Sequence, residues 1–575
     1  MISDERETRC YLPPESAHGG RLWGFATHLY ALRSARNWGM GDFTDLRELA
    51  RSAKRLGADL LGLNPLHALH WLDPDAASPY SPTSRRFLNP FYIDVEAVPE
   101  YARERDALAA QLAPLEDDIA RARASQRVEY ALVGRCKRQA LEALYAAFVA
   151  RAPAARRRAF ETFCAASGPA LERFGRYEAL NEHYARDDGR TRGWQTWPAS
   201  YHDPRSPSVG RFARRRRARV DFYKYVQFVA HEQLAAVAND PEAAGLYLDL
   251  AVGVDANSAD VWSERAQYRL DRTVGAPPDP LGPHGQNWGL APFDPAALEA
   301  DGGRVFAAIL QDAMRYACAL RVDHVMSLLR LFQIPLGGEA QDGTYVAYPF
   351  ELLLRLTAAA SNAARCVVVG EDLGTVPDGF RARMERAAIL SYRVLLFERD
   401  GDGRFLPPPA YPNLALATGT THDLPTLPGW VLGRDLDVRA VLGDLDEAGL
   451  IAARSLRRVD ATRLLEALHA ADELDEASVE RTHRLIDAGE SEPGAYGALV
   501  AAAYRFLADG PARVVLVQLD DALGEIDQVN LPGTYGEYPN WRRKTRESIE
   551  DMAGDERLAS LAADVASRIR GGSHL

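Results

Sequence analysis

Eight short apolar runs, each ending in polar or charged residues, punctuate this chain at 22–30, 58–63, 246–252, 317–322, 366–370, 392–397, 414–418 and 514–519. Stretches of helical periodicity separate them. Several runs are continuously apolar rather than alternating, the pattern of parallel strands covered by helices on one side and packed against a core on the other. The clearest helix is expected over 43–56, where Phe43, Leu46, Leu49, Ala50, Ala53 and Leu56 share one face. Asp42 can cap its start and Gly57 can end it. Another helix should begin near Pro349. Strand, helix, strand repeated eight times predicts an α/β fold, a (β/α)8 TIM barrel.

With 575 residues the chain exceeds a minimal barrel, and the surplus falls into two long connections. Both 101–231 and 435–507 are helical in pattern and rich in Ala, Arg, Glu and Leu. We therefore expect a lead-in over 1–21 and a catalytic barrel over 22–575 interrupted by these two helical insertions. Connections that follow barrel strands lie on the catalytic face, so both insertions should wall a cleft there.

Apolar residues at 47% and charged residues at 26% fit an ordinary globular protein. A formal net charge of −12 disfavours nucleic acid, whose phosphates need a positive surface. The basic run Arg214 to Arg217 reads as a solvated helix face. Five widely spaced cysteines without a C-x-x-C pair indicate neither a disulfide framework nor zinc. The charged N-terminus and the lack of a long apolar span argue for a cytoplasmic location without a membrane partner.

Acidic residues stand at three strand ends. The fourth run closes on Arg321, Val322, Asp323 and His324, with Arg321 and Asp323 on one face. A cation two residues away keeps Asp323 ionised, as a nucleophile requires. Glu371 follows the wholly apolar Val367 to Gly370, where low dielectric and a second carboxylate should raise its pKa and suit it to acid catalysis. The seventh run closes on Thr421, His422 and Asp423. Three carboxylates at neighbouring strand ends suggest glycosidic chemistry, with one acid on the leaving oxygen and another attacking the anomeric carbon. Taken singly, each is as well explained by a helix cap or ion pair. No ligand spacing for a metal is present, and no cofactor is implied, since nucleophile, acid and base are all side chains.

The chain also carries NWGMGDF at 37–43, SPYSP at 78–82, GQNWG at 285–289, NLPGT at 530–534 and PNWRRK at 539–544. With RVDH at 321–324, GEDLG at 370–374 and THD at 421–423, this set resembles glycoside hydrolase family 77, the amylomaltases, over nearly the whole chain. HVMS at 324–327 is similar to the proteobacterial maltodextrin branch, whose members often carry an N-terminal β-rich extension; with the first strand expected from about 22, that extension is expected to be either absent or removed. The resemblance implies a 4-alpha-glucanotransferase that moves α-1,4-glucan segments from maltooligosaccharide donors to glucose or another glucan. It implies Asp323 as nucleophile, Glu371 as general acid and base, and Asp423 as stabiliser of the transition state. Arg321 would orient Asp323, and His324 and His422 would donate to sugar hydroxyls. Trp288 and Tyr80 would supply aromatic platforms and hydroxyl contacts, with Asn287 and Ser78 as further substrate-binding residues. Trp288 lies in a Gly- and Pro-rich stretch and is expected on a loop overhanging the site. Family members often place an aromatic at the tip of that loop, where this chain has Leu281. A related α-glucan hydrolase, and a carbohydrate-binding protein on a retired barrel, are the competing readings; the second should have lost an acid, and all three remain.

Overall fold

A computed structural model describes residues 8–14, 20–73, 76–185, 193–278, 285–534 and 536–571. Eight parallel strands close into a barrel: Leu22–Thr27, Leu60–Leu63, Gly245–Leu250, Ala319–Val322, Val367–Gly370, Leu390–Val394, Ala415–Thr418 and Val514–Gln518. The first strand pairs with both the second and the eighth, which completes the ring. The fold is the expected (β/α)8 barrel, and every apolar run overlaps one of its strands.

The sixth strand departs from its run. It spans Leu390–Val394, and the expected continuation is a 3-10 turn, Leu395–Phe397. Leu395 and Leu396 are buried although unpaired, so the apolar run reported burial beyond the end of sheet pairing.

The helix after the first strand runs Phe43–Arg55 and opens with a capping box. The Asp42 carboxylate accepts the amides of Thr44 and Asp45, and the Asp45 carboxylate accepts the amide of Asp42. Gly57, at φ 88°, ends it in the left-handed region. The Arg36 guanidinium gathers Asp42, Asp45 and Asp94 at 2.6, 2.7 and 2.7 Å, which ties this helix start to the loop after the second strand. The helix expected near Pro349 is Phe350–Ala364, with Pro349 as its cap.

Between the second and third strands lie the long helices Tyr130–Arg151, Ala154–His183 and Arg217–Ala238, with shorter ones beside them. Within Ala154–His183, Gly168 takes φ 56° and ψ −146° just before Pro169 and divides the helix in two. Between the seventh and eighth strands the chain is again helical, chiefly Glu447–Ala470, Glu476–Ala488 and Gly497–Ala508. A five-stranded antiparallel sheet, which the periodicity did not disclose, runs in the order Thr344–Ala347, Arg330–Pro335, Arg272–Ala276, Gln286–Ala291 and Val254–Asp255. It is built from the connections that leave the third and fourth barrel strands, and so it belongs to the catalytic face.

One buried cation anchors the helix Tyr130–Arg151 to the connection that follows the second strand. Lys137, 1% exposed, donates to the carbonyls of Phe91 and Ile93 at 2.6 and 2.8 Å. Lys137→Met should leave both carbonyls unpaired and lower unfolding free energy by about 2–4 kcal/mol, read as a drop in denaturation midpoint. An unchanged midpoint would contradict that anchoring.

Candidate active site

The end of the fourth strand meets its neighbour through one guanidinium. Arg321 Nη1 lies 2.8 and 2.9 Å from the two carboxylate oxygens of Asp249 and 3.0 Å from Asp323 Oδ1. Asp249 is the register partner of Arg321 on the third strand. Both are buried, so each charge depends on the others for compensation. Burial alone would lower the Arg321 pKa; Asp249 and Asp323 outweigh it and raise the pKa well above the ordinary value. The Tyr80 hydroxyl donates to Asp249 Oδ2 at 2.7 Å, which extends the chain of contacts across the mouth of the barrel.

Asp323 is also held by backbone. Its amide donates to Leu250 O at 3.1 Å, and the Val252 amide donates to its Oδ2 at 3.3 Å. The Arg85 guanidinium in turn donates to the carbonyls of Ala251 and Val252 at 3.2 and 2.9 Å. Arg85 therefore fixes the peptide that holds Asp323.

Glu371 emerges one strand further on. Its carboxylate accepts the amides of His324 and Leu373 at 2.9 and 2.7 Å. Burial pushes its pKa up to about 7, Arg321 opposes the rise and the Asp323 charge adds to it. Near neutrality Glu371 thus exchanges its proton readily. His324 takes φ 47°, the left-handed region, and this turn brings its amide onto Glu371. Burial lowers the His324 pKa to about 4, with Asp323 raising and Arg321 lowering it, so the ring is neutral. It meets Trp288 edge to face at 5.4 Å.

Asp423 has a different setting. Its side chain is 44% exposed to the cleft, with Oδ2 3.3 Å from His422 Nε2 and Oδ1 accepting from Asn530 Nδ2 at 2.7 Å. Surrounding protein pushes its pKa up, but His422, Asn530 and Arg321 outweigh this and bring it down to about 2. Asp423 is an anion throughout the physiological range. His422 stacks on Tyr80 at 4.8 Å, and Trp541 packs against both rings at 5.6 and 5.5 Å.

Trp288, Asn287 and Ser78 each have protein partners of their own. Trp288 is on the strand Gln286–Ala291, not on a loop, because that segment pairs antiparallel with Arg272–Ala276. Its glycines suit the irregular register there: Gly289 takes φ 69° beside the bulge. Asn287 Oδ1 accepts from the Thr273 hydroxyl at 2.8 Å and the Gly289 amide at 3.0 Å, bracing the strand under Trp288. Ser78 Oγ accepts the Tyr80 amide at 3.3 Å and so shapes the turn that presents Tyr80. Leu281 lies outside the described residues.

Asp249, Asn530, Trp541 and Arg85 were not anticipated as site residues. Asp249 did leave a signal, a carboxylate inside the apolar run Leu246 to Leu250. Asn530 and Trp541 fall in recognisable motifs without an assigned role. Nothing local distinguished Arg85 from its neighbour Arg86. Among the described residues no helix is long and apolar enough to cross a membrane, and no group of three or more His, Cys, Asp and Glu is placed to hold a metal.

This geometry has known counterparts. Residues 27–549 match the family model of glycoside hydrolase family 77, 4-alpha-glucanotransferase. The chain is 35% identical to the 4-alpha-glucanotransferase of Haemophilus influenzae over 96% of its length and 79% of that protein. It is 36% identical to the 4-alpha-glucanotransferase of Mycobacterium tuberculosis over 96% of its length and 76% of that protein. The crystal structure of amylomaltase from Corynebacterium glutamicum superposes with a TM-score of 0.84 at 29% identity, over 96% of this chain and 76% of that one. Amylomaltase from Streptococcus agalactiae in complex with acarbose shares the fold, with a TM-score of 0.72 at 17% identity over 96% and 99%. The chain belongs to glycoside hydrolase family 77, the 4-alpha-glucanotransferases, and its activity is of that transferase class.

Asp249→Asn removes the charge that shares Arg321 and loosens both Arg321 and Tyr80. Because small misplacements at a reacting centre cost about 10²-fold, kcat for maltotriose disproportionation should fall by roughly that factor. Wild-type kcat in this variant would remove Asp249 from the machinery.

Proposed function

We propose that the chain transfers α-1,4-glucan segments from maltooligosaccharides to glucose or another glucan by two displacements at the anomeric carbon. Asp323 is the nucleophile, Glu371 the general acid and base, and Asp423 the anion that stabilises the transition state. The observation that carries this reading is the unequal treatment of two nearby carboxylates. Asp323 lies on a buried guanidinium at 3.0 Å, while burial lifts Glu371 to about 7.

In the first step Glu371 gives its proton to the glycosidic oxygen as an Asp323 oxygen attacks the anomeric carbon. The bond to the leaving glucan breaks, and a covalent glucosyl-enzyme forms. In the second, Glu371, now ionised, takes the proton from the 4-hydroxyl of the acceptor. That oxygen displaces Asp323 and restores the α configuration. Asp423, ionised and half-open to the cleft, faces the positive charge that develops on the ring. Neutral His324, together with His422, Tyr80 and Trp288, supplies hydroxyl contacts and ring-sized apolar surfaces. Asn287 and Ser78 hold Trp288 and Tyr80 in place. A complex with an unreactive maltooligosaccharide should show the Asp323 and Glu371 carboxyls about 5–5.5 Å apart, as a two-step route requires.

Maltotriose tests the assignment. It should release glucose and longer chains with little net gain in reducing ends, whereas a steady gain marks a hydrolase. Asp323→Asn should abolish turnover while sparing maltodextrin binding. Glu371→Gln should slow transfer by about 10²–10⁴-fold.

The pH dependence has a definite sign. Glu371 is protonated below about 7 and ionised above it, so the glycosylation step loses its acid as pH rises through that value. kcat/KM should decline on the alkaline side of about 7, and Asp423, at about 2, should contribute no limb between pH 4 and 9. A profile flat to pH 9 would contradict Glu371 as the acid.

A further inference from the structure

A cavity of about 220 Å3 opens on the flank of the barrel, with Leu248 and Asp249 of the third strand in its inner wall. The helices Ala154–His183, Arg217–Ala238 and Arg304–Met314 and the strand Ser84–Leu88 supply most of the rest, with Leu66, His67, Arg315 and Tyr316 from the adjoining segments. Glu371, Asp423, Tyr80 and Trp288 take no part in it, although it shares Asp249 and Arg85 with the site described above.

Its wall holds guanidinium donors without acceptors beside carboxylates that are already paired. Arg86 uses only Nε of its guanidinium, on Asp312 Oδ2 at 2.7 Å, and both its Nη groups lack an acceptor among the described residues. Arg315 uses only Nη2, on Asp312 Oδ1 at 2.5 Å. Ser167, at the helix break before Gly168, makes no side-chain hydrogen bond to the described residues, and His231 spends Nδ1 on the Tyr316 hydroxyl at 2.6 Å. The carboxylates are committed, Asp312 to both arginines and Asp249 to Arg321 and Tyr80; Gln227 Oε1 accepts the Leu88 amide, and Gln311 makes no side-chain hydrogen bond to the described residues. Burial, with the Arg315 charge, lowers the His231 pKa, so the positive field there comes from guanidinium groups. In a chain of net charge −12 such a local excess of cationic donors calls for an anion.

The size and the other wall refine the ligand. The volume is more than an inorganic anion fills. Phe163 stacks on His231 at 5.0 Å and offers a flat apolar surface of the kind sugar rings cover. Sugar hydroxyls can pair with Gln311 and Ser167, and the two guanidinium groups favour a ligand that also carries a negative charge. The geometry points to a binding site for a phosphorylated hexose, its phosphoryl group on Arg86 and Arg315 and its ring beside Phe163 and His231.

Calorimetric titration of the full chain with glucose 6-phosphate, glucose and inorganic phosphate tests this. Glucose 6-phosphate should bind, glucose should not, and phosphate should bind more weakly. Arg86→Gln and Arg315→Gln should each weaken glucose 6-phosphate by about tenfold or more and leave maltotriose disproportionation unchanged. Arg315 is half-exposed, so its variant folds even if the Arg86 variant does not. No binding of glucose 6-phosphate at millimolar concentration would overturn the proposal. So would equal binding of glucose or of phosphate, displacement by maltotriose, or full affinity in both variants.

Discussion

Arg321 sits between two carboxylates inside a barrel that excludes most water, and the site is organised around that arrangement. Its guanidinium neutralises Asp249 and steadies Asp323, and among the described residues neither acid has another cation within reach of a salt bridge. Such a buried triad adds little to stability by itself, because desolvating three charges offsets most of their attraction. Its value lies in position. The third and fourth strands fix Asp249 and Arg321 opposite each other, and Tyr80 is drawn onto the same network from the loop after the second.

The same charges divide the work among the acids. Glu371 is near enough to Arg321 to feel its field, but burial and the Asp323 charge prevail, and its proton is exchangeable at neutral pH. Asp423 stands toward the open cleft with His422 and Asn530 beside it, and its proton is lost far below neutrality. Three carboxylates of similar intrinsic acidity thus acquire distinct properties from their surroundings. The backbone takes part as well: the left-handed turn at His324 places one amide on Glu371, and the peptide clamped by Arg85 places another on Asp323.

Much of this was legible in the chain because parallel barrel strands are buried on both faces and read as uninterrupted apolar runs. The three acids were legible because each ends such a run. The sixth strand was misplaced by a few residues since Leu395 and Leu396 are apolar for packing rather than pairing. Asp249 was passed over because a charged residue inside a strand makes sense only once its partner Arg321 is known to face it. The sheet containing Trp288 stayed hidden for a related reason: its strands come from distant connections and share no local period. Arg85 shows the limit most plainly, as its two carbonyl partners lie 166 and 167 residues away.

The most direct measurement is the identity of the residue that carries the sugar. A fluorinated α-glucosyl fluoride that forms the covalent adduct quickly and releases it slowly allows the enzyme to be digested and its peptides weighed. The account predicts one glucosyl equivalent on the peptide containing Asp323, and no adduct in Asp323→Asn. Label on the peptide of Glu371 or Asp423 would contradict it, as would turnover of the fluoride to products of inverted configuration without any adduct.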